Sequence, residues 1–158
     1  MSQNIAQILL QSLNKKNQIL DDIIRENEQQ EQILKQDTLD MDALEASLDR
    51  IGEFVEMLER LDDGFEALYD KVRTEVVGNK AGYRTEIAQM QNYIQQITDK
   101  VVKINAARMR NQMRADSQFK KQAQEIKNAM SKTKVSQNYY NSMNKLNYVA
   151  PQFYDNKK

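Results

Sequence analysis

The chain has 158 residues, a formal net charge of zero, only four Gly and one Pro, and no Cys, His or Trp. Without Cys or His there is no disulfide, no thiolate nucleophile, no ordinary zinc site and no His-based acid–base pair or triad. The neutral balance conceals an asymmetry, with 8 Lys and Arg against 18 Asp and Glu over residues 1–79 and 15 against 5 over residues 80–158.

So few backbone breakers allow few turns, and a chain with few turns folds into long helices. No apolar run approaches the ~18–20 residues of a membrane span, and the N-terminus carries no basic region followed by a hydrophobic stretch. The expected location is the cytoplasm, with no membrane insertion.

The first helix is predicted over about residues 3–36. Ile5, Ile8, Leu9, Leu13, Leu20, Ile23, Ile24 and Leu34 recur at spacings of three, four or their multiples, the stripe a helix presents to a neighbour. Lys16, Asn27 and Gln30 dilute that stripe, so this helix is expected to be the least firmly held. Asp37, Asp40 and Asp42 follow. Asp42 with Glu45 has capping-box spacing, so Asp42 is expected to cap the next helix. A calcium loop would need a Gly and a distal Glu at fixed spacing, and neither is present.

The second helix, about 43–77, has the most regular pattern. Leu44, Leu48, Ile51, Val55, Leu58, Leu61, Phe65, Leu68, Val72 and Val76 step by three or four without a gap. Gly52 and Gly64 interrupt it, each costing about 1 kcal/mol relative to Ala. They mark a close helix approach, a tolerated loss or a bend. Gly78-Asn79 is expected to end the helix in a left-handed cap, with Gly82 closing the turn.

The third helix is predicted over about 83–132. Tyr83, Ile87, Met90, Ile94, Ile97, Val101 and Ile104 continue the seam, which then thins to Met109 and Met113 among alanines and arginines. At 1.5 Å per residue the first two helices would be roughly 52 Å long and the third roughly 75 Å. Its first ~35 residues are expected to lie against the second helix. The remainder, from about Gln118 to Lys132, would then project, leaving Phe119, Ile126 and Met130 to be covered by something else. The fold class expected is all-α: an elongated antiparallel three-helix coiled-coil bundle over residues 1–132, with an amphipathic C-terminal segment and extended tail over 133–158.

That last segment contains Tyr139, Tyr140, Met143 and Leu146 as a short amphipathic helix candidate. Pro151 pushes Ala150 away from helical geometry, so the end carrying Phe153 and Tyr154 is extended. Five of the chain's eleven aromatic residues fall after position 138. These Met and aromatic positions suit a groove for a partner helix. Fold-back onto the chain's own bundle and homodimerisation are the alternatives. The cations Lys100, Lys103, Arg108, Arg110, Arg114, Lys120, Lys121 and Lys127 fit a solvated face or the complement of the acidic first half better than a nucleic-acid surface. Adjacent carboxylates such as Asp62-Asp63 diverge on a helix, and no phosphate loop or metal motif occurs. Neither an enzyme nor a cofactor or metal is expected.

Tyr139-Tyr140-Asn141, followed by Pro151-Gln152-Phe153-Tyr154-Asp155-Asn156-Lys157-Lys158, resembles the C-terminal pattern of bacterial flagellar export chaperones of the FlgN type, with the FliT group second. Ser142 stands where that pattern has Gly, and Asn156 intervenes before the lysines. The resemblance implies a cytosolic chaperone that keeps late export substrates, the hook-filament junction proteins, unpolymerised by holding an amphipathic helix. It also implies that the C-terminal segment binds the client. The alternative is a self-associating coiled-coil scaffold or adaptor.

Overall fold

The computed structural model describes residues 2–123, and they form three helices with no strand. These are α1 (Ser2–Leu34), α2 (Met41–Gly78) and α3 (Arg84–Lys121). The side-chain pairs fix their directions. Lys16 meets Asp62, Glu26 meets Arg50 and Gln30 meets Ser47, so the α2 number falls as the α1 number rises and the two run antiparallel. Asn17 meets Gln96, Asp21 meets Lys100, Glu31 meets Arg114 and the Leu34 carbonyl meets Gln118, so α1 and α3 run parallel.

The expected all-α three-helix bundle is found, with a different order of packing. α1 packs along both α2 and α3, whereas α2 and α3 scarcely meet. The helix expected to be least firmly held is therefore the central one. Leu9, Leu13, Leu20 and Ile23 on α1 are almost wholly buried, together with Ile51 and Leu58 of α2 and Ile97 and Ile104 of α3. Each such side chain removed from water contributes about 1.5–3 kcal/mol. Two of the polar residues that dilute the α1 stripe are buried with side-chain partners, Lys16 on Asp62 at 2.8 Å and Gln30 donating to Ser47 at 3.3 Å, and at Asn27 the backbone carbonyl accepts from Asn111 at 3.0 Å.

The turns differ in detail from expectation. Asp40, not Asp42, caps α2: its side chain accepts from the Ala43 N–H at 3.1 Å, and Asp42 sits in the first helical turn, where a negative charge suits the helix dipole. α2 does end at Gly78, but Asn79 has φ −138°, and no described residue has positive φ. Successive backbone bonds from Gly82 to Asn79 (3.1 Å) and Tyr83 to Lys80 (3.3 Å) close this turn instead. A Cβ on Gly82 would lie 2.4 Å from the Asn79 side-chain nitrogen, so the close approach belongs here. Around Gly52 and Gly64 an added Cβ would meet nothing within 4 Å, which leaves a tolerated loss as their explanation rather than tight packing.

α3 extends along the whole of α1, and its final residues lie at the α1–α2 connection. Gln118 is buried there, donating to the Leu34 carbonyl at 3.0 Å and the Gln36 carbonyl at 2.5 Å, while Lys121 reaches the Asp37 carbonyl at 3.4 Å. The bundle thus covers α3 to its end at Lys121. A projection beginning at Gln118 is not present. The expected continuation of this helix to 132 lies outside the described residues.

Candidate interaction surface

Phe119 is half-buried and packs against the core, not on an uncovered projection, because it lies within the length that α1 supports. Ile126, Met130, Tyr139, Tyr140, Met143, Leu146, Phe153 and Tyr154 lie outside the described residues. Of the expected partner-binding set, then, only Phe119 is placed, and it serves the bundle.

A different apolar surface emerges on α3. Through Ile104 the buried stripe keeps its register as Met90, Ile94, Ile97, Val101 and Ile104. Beyond it the core-facing positions become Asn111, Ala115 and Gln118. Asn111 donates to the Asn27 carbonyl and accepts from Arg114 at 3.3 Å. The loop end of the α1–α3 interface is thus joined largely by hydrogen bonds and ion pairs, where the turn end is joined by aliphatic packing.

The hydrophobic residues of this stretch lie on the opposite side. Val102 is 65% exposed, Met109 58% and Met113 71%, and with exposed Ala106 they step 4-3-4, one face of a helix. By spacing alone, Met109 and Met113 are expected to be the thinning end of the core seam. The missed signal is a change of phase: Ile104 to Met109 is five residues, about 140° of rotation around a helix of 3.6 residues per turn.

Charge is divided by helix. α2 carries eleven Asp and Glu against four Lys and Arg, and α3 carries eight Lys and Arg against three Asp and Glu. The expected attraction between acidic and basic halves acts between α1 and α3, through the Lys100–Asp21 and Arg114–Glu31 pairs, whereas Lys16–Asp62 and Arg50–Glu26 join α1 to α2 within the first half. Glu31 is held below the usual carboxylate range by its hydrogen bond to Lys35, with Arg114 and Arg110 adding to the effect. Lys103 and Arg110 remain exposed beside the Val102–Met113 stripe.

The most perturbed groups are Lys16 and Asp62, with side chains 2% and 13% exposed. Burial pushes the Lys16 ammonium down to about 8 against the attraction of Asp62. It also pushes the Asp62 carboxyl up to about 6 against the attraction of Lys16, with Asp63 and Glu59 adding to the rise. Desolvation outweighs the ion pair at both ends. Perturbed groups often mark reactive sites, but this pair is enclosed between α1 and α2. It is a structural contact. No group of three or more acidic ligands suited to a metal occurs among the described residues.

A shallow groove of about 60 Å³ between α1 and α3 is bordered by Glu28 and Glu31 on one side and Lys103 and Arg110 on the other. Its floor includes Ile24, Ile104 and Ala107. Such a depression admits the end of one side chain, not a cofactor. No described helix is long and apolar enough to cross a membrane. Comparison with protein-family models, with curated proteins and with solved structures yields no match.

Proposed function

We propose that this chain is a protein-binding chaperone that holds an amphipathic helix of a client, a late flagellar export substrate of the hook-associated kind, and keeps it from polymerising. The observation that carries the reading is the sequence from Tyr139 to Lys158, with its Tyr-Tyr-Asn step and aromatic-Asp-Asn-Lys-Lys ending. The bundle supports it. Its three helices satisfy one another over Ser2–Lys121, and the aromatic sequence that carries the resemblance follows them.

The cytoplasm is the compartment such a function requires. The decisive experiment is truncation after Lys132. The bundle should retain its helical circular dichroism, while binding to a C-terminal helical peptide of a hook-filament junction protein is lost. Binding that survives the truncation would remove the C-terminal segment from the site.

A self-associating scaffold is the second reading, favoured by the acidic α2 and basic α3 that scarcely meet within the chain. Sedimentation over a range of concentrations separates the two. A scaffold assembles alone into defined oligomers, and a chaperone stays monomeric or weakly dimeric without its client.

A further inference from the structure

The core-facing frame of α3 runs in steps of three and four from Met90 to Gln118 without a break. Its first five positions, Met90, Ile94, Ile97, Val101 and Ile104, are apolar and buried. Its next four are Arg108, Asn111, Ala115 and Gln118, so the frame continues while its chemistry passes from aliphatic to polar at one point. Burial of an aliphatic side chain stabilises a helix contact more than a partly exposed ion pair or a neutral hydrogen bond does. The distal half of α3 is held mainly by the weaker kind. Asn111 donates to the Asn27 carbonyl at 3.0 Å, and Arg114 pairs with Glu31 at 3.1 Å with side chains 30% and 27% exposed. Gln118 and Lys121 reach only backbone carbonyls, those of Leu34, Gln36 and Asp37.

Docking also leaves polar atoms unsatisfied in this half. Asn105 Oδ1, Arg108 Nε and Gln118 Oε1 are buried without a hydrogen-bond partner, whereas α3 has no such atom from Arg84 to Ile104. Water satisfies all three once the segment is released, so detachment removes a cost that docking imposes. α2 adds little restraint, since it scarcely meets α3. We infer that the distal half of α3, from Arg108 to Lys121, is a detachable strap that leaves α1 as one unit, hinged after Ile104, while Met90 to Ile104 stay docked. Its release uncovers α1 around Asn27, Glu31 and Leu34 and separates Lys121, with the chain that follows it, from the α1–α2 connection. The inference does not depend on what residues 122–158 bind.

Native-state hydrogen exchange of the full chain, read amide by amide by NMR, tests the strap. Amides from 109 to 118 exchange about tenfold faster than those from 90 to 104, share one protection level, and respond little to urea well below the unfolding transition, because a local opening exposes little surface. Equal protection in the two halves overturns the proposal. So does protection that climbs steadily inward from Lys121, the pattern of end fraying. Asn111→Leu extends the aliphatic seam, and the Asn27 carbonyl still accepts its helical N–H within α1. This variant slows exchange from 112 to 118 about tenfold and leaves 90 to 104 unchanged. Arg108→Leu, which removes a buried Nε without a partner, acts in the same direction at the preceding polar position. Failure of both variants to slow exchange in the strap overturns the claim that its polar seam releases it.

Discussion

Replacing Lys16 and Asp62 together, by Met and Leu, should stabilise the bundle. The parent pair is charged at neutral pH at a cost. For Asp62, a carboxyl raised from 3.8 to about 6 means the folded chain holds a proton that the unfolded chain has already lost. Stability therefore falls as pH rises from about 4 to 6, by about 3 kcal/mol at 1.36 kcal/mol per unit. For Lys16, lowered from 10.5 to about 8, the folded chain loses its proton first, so stability rises again between about 8 and 10.5, by a similar ~3 kcal/mol. Between pH 6 and 8 the pair contributes least. Substitution of a buried ion pair by apolar residues of similar volume is neutral or gains ~1–4 kcal/mol, whereas removing one partner alone costs ~3–5 kcal/mol. Urea unfolding followed by circular dichroism at pH 4, 7 and 10 checks this, with both single variants included. The double variant should exceed the parent most at pH 7, and its advantage should shrink toward either extreme. A double variant less stable than the parent at pH 7, or a difference that is flat with pH, would refute the claim that desolvation outweighs attraction here.

Gly52→Ala and Gly64→Ala should each raise stability by about 1 kcal/mol, since the helix gains propensity and the added methyl meets nothing within 4 Å; thermal melts give the answer. Asp40→Ala removes the side-chain acceptor for the Ala43 N–H and should cost about 1 kcal/mol by urea titration, while Asp42→Ala should cost less. Gln118→Ala leaves the Leu34 and Gln36 carbonyls without their donor and should cost about 1–3 kcal/mol. Amide exchange should then quicken at the end of α3 before the rest of the bundle.

The helices themselves were legible, because few breakers and sustained three-four spacing leave little freedom. Their bounds along α1 and α2 fall within two residues of expectation. What was misread is which helix lies in the middle. α2 presents so regular a seam because it faces a single neighbour. α1 faces two, so it is buried over more than half its circumference, and polar residues within that wide arc look like surface. The signal lay in adjacent apolar pairs, Leu9-Leu10 and Ile19-Leu20, which diverge by about 100° on a helix and are all buried here. The partners of buried Lys16 and Asn111, the Asp62 carboxylate and the Asn27 backbone carbonyl, lie 46 and 84 residues away. Nothing local announces them. The interaction surface was less legible, because the hydrophobic stripe of α3 changes phase after Ile104 while its spacing still looks helical.

The central position of α1 has a consequence for how the bundle assembles and comes apart. The side-chain hydrogen bonds from α1 to α2 join residues 17 to 46 apart, whereas those between α1 and α3 join residues 79 to 84 apart. Each doubling of a closed loop adds about 0.6 kcal/mol of lost entropy, so the α1–α2 hairpin should form first and α3 should dock onto it. Since α2 and α3 scarcely touch, detaching α3 disturbs little of the α1–α2 interface. The chain should behave as two cooperative units sharing one helix.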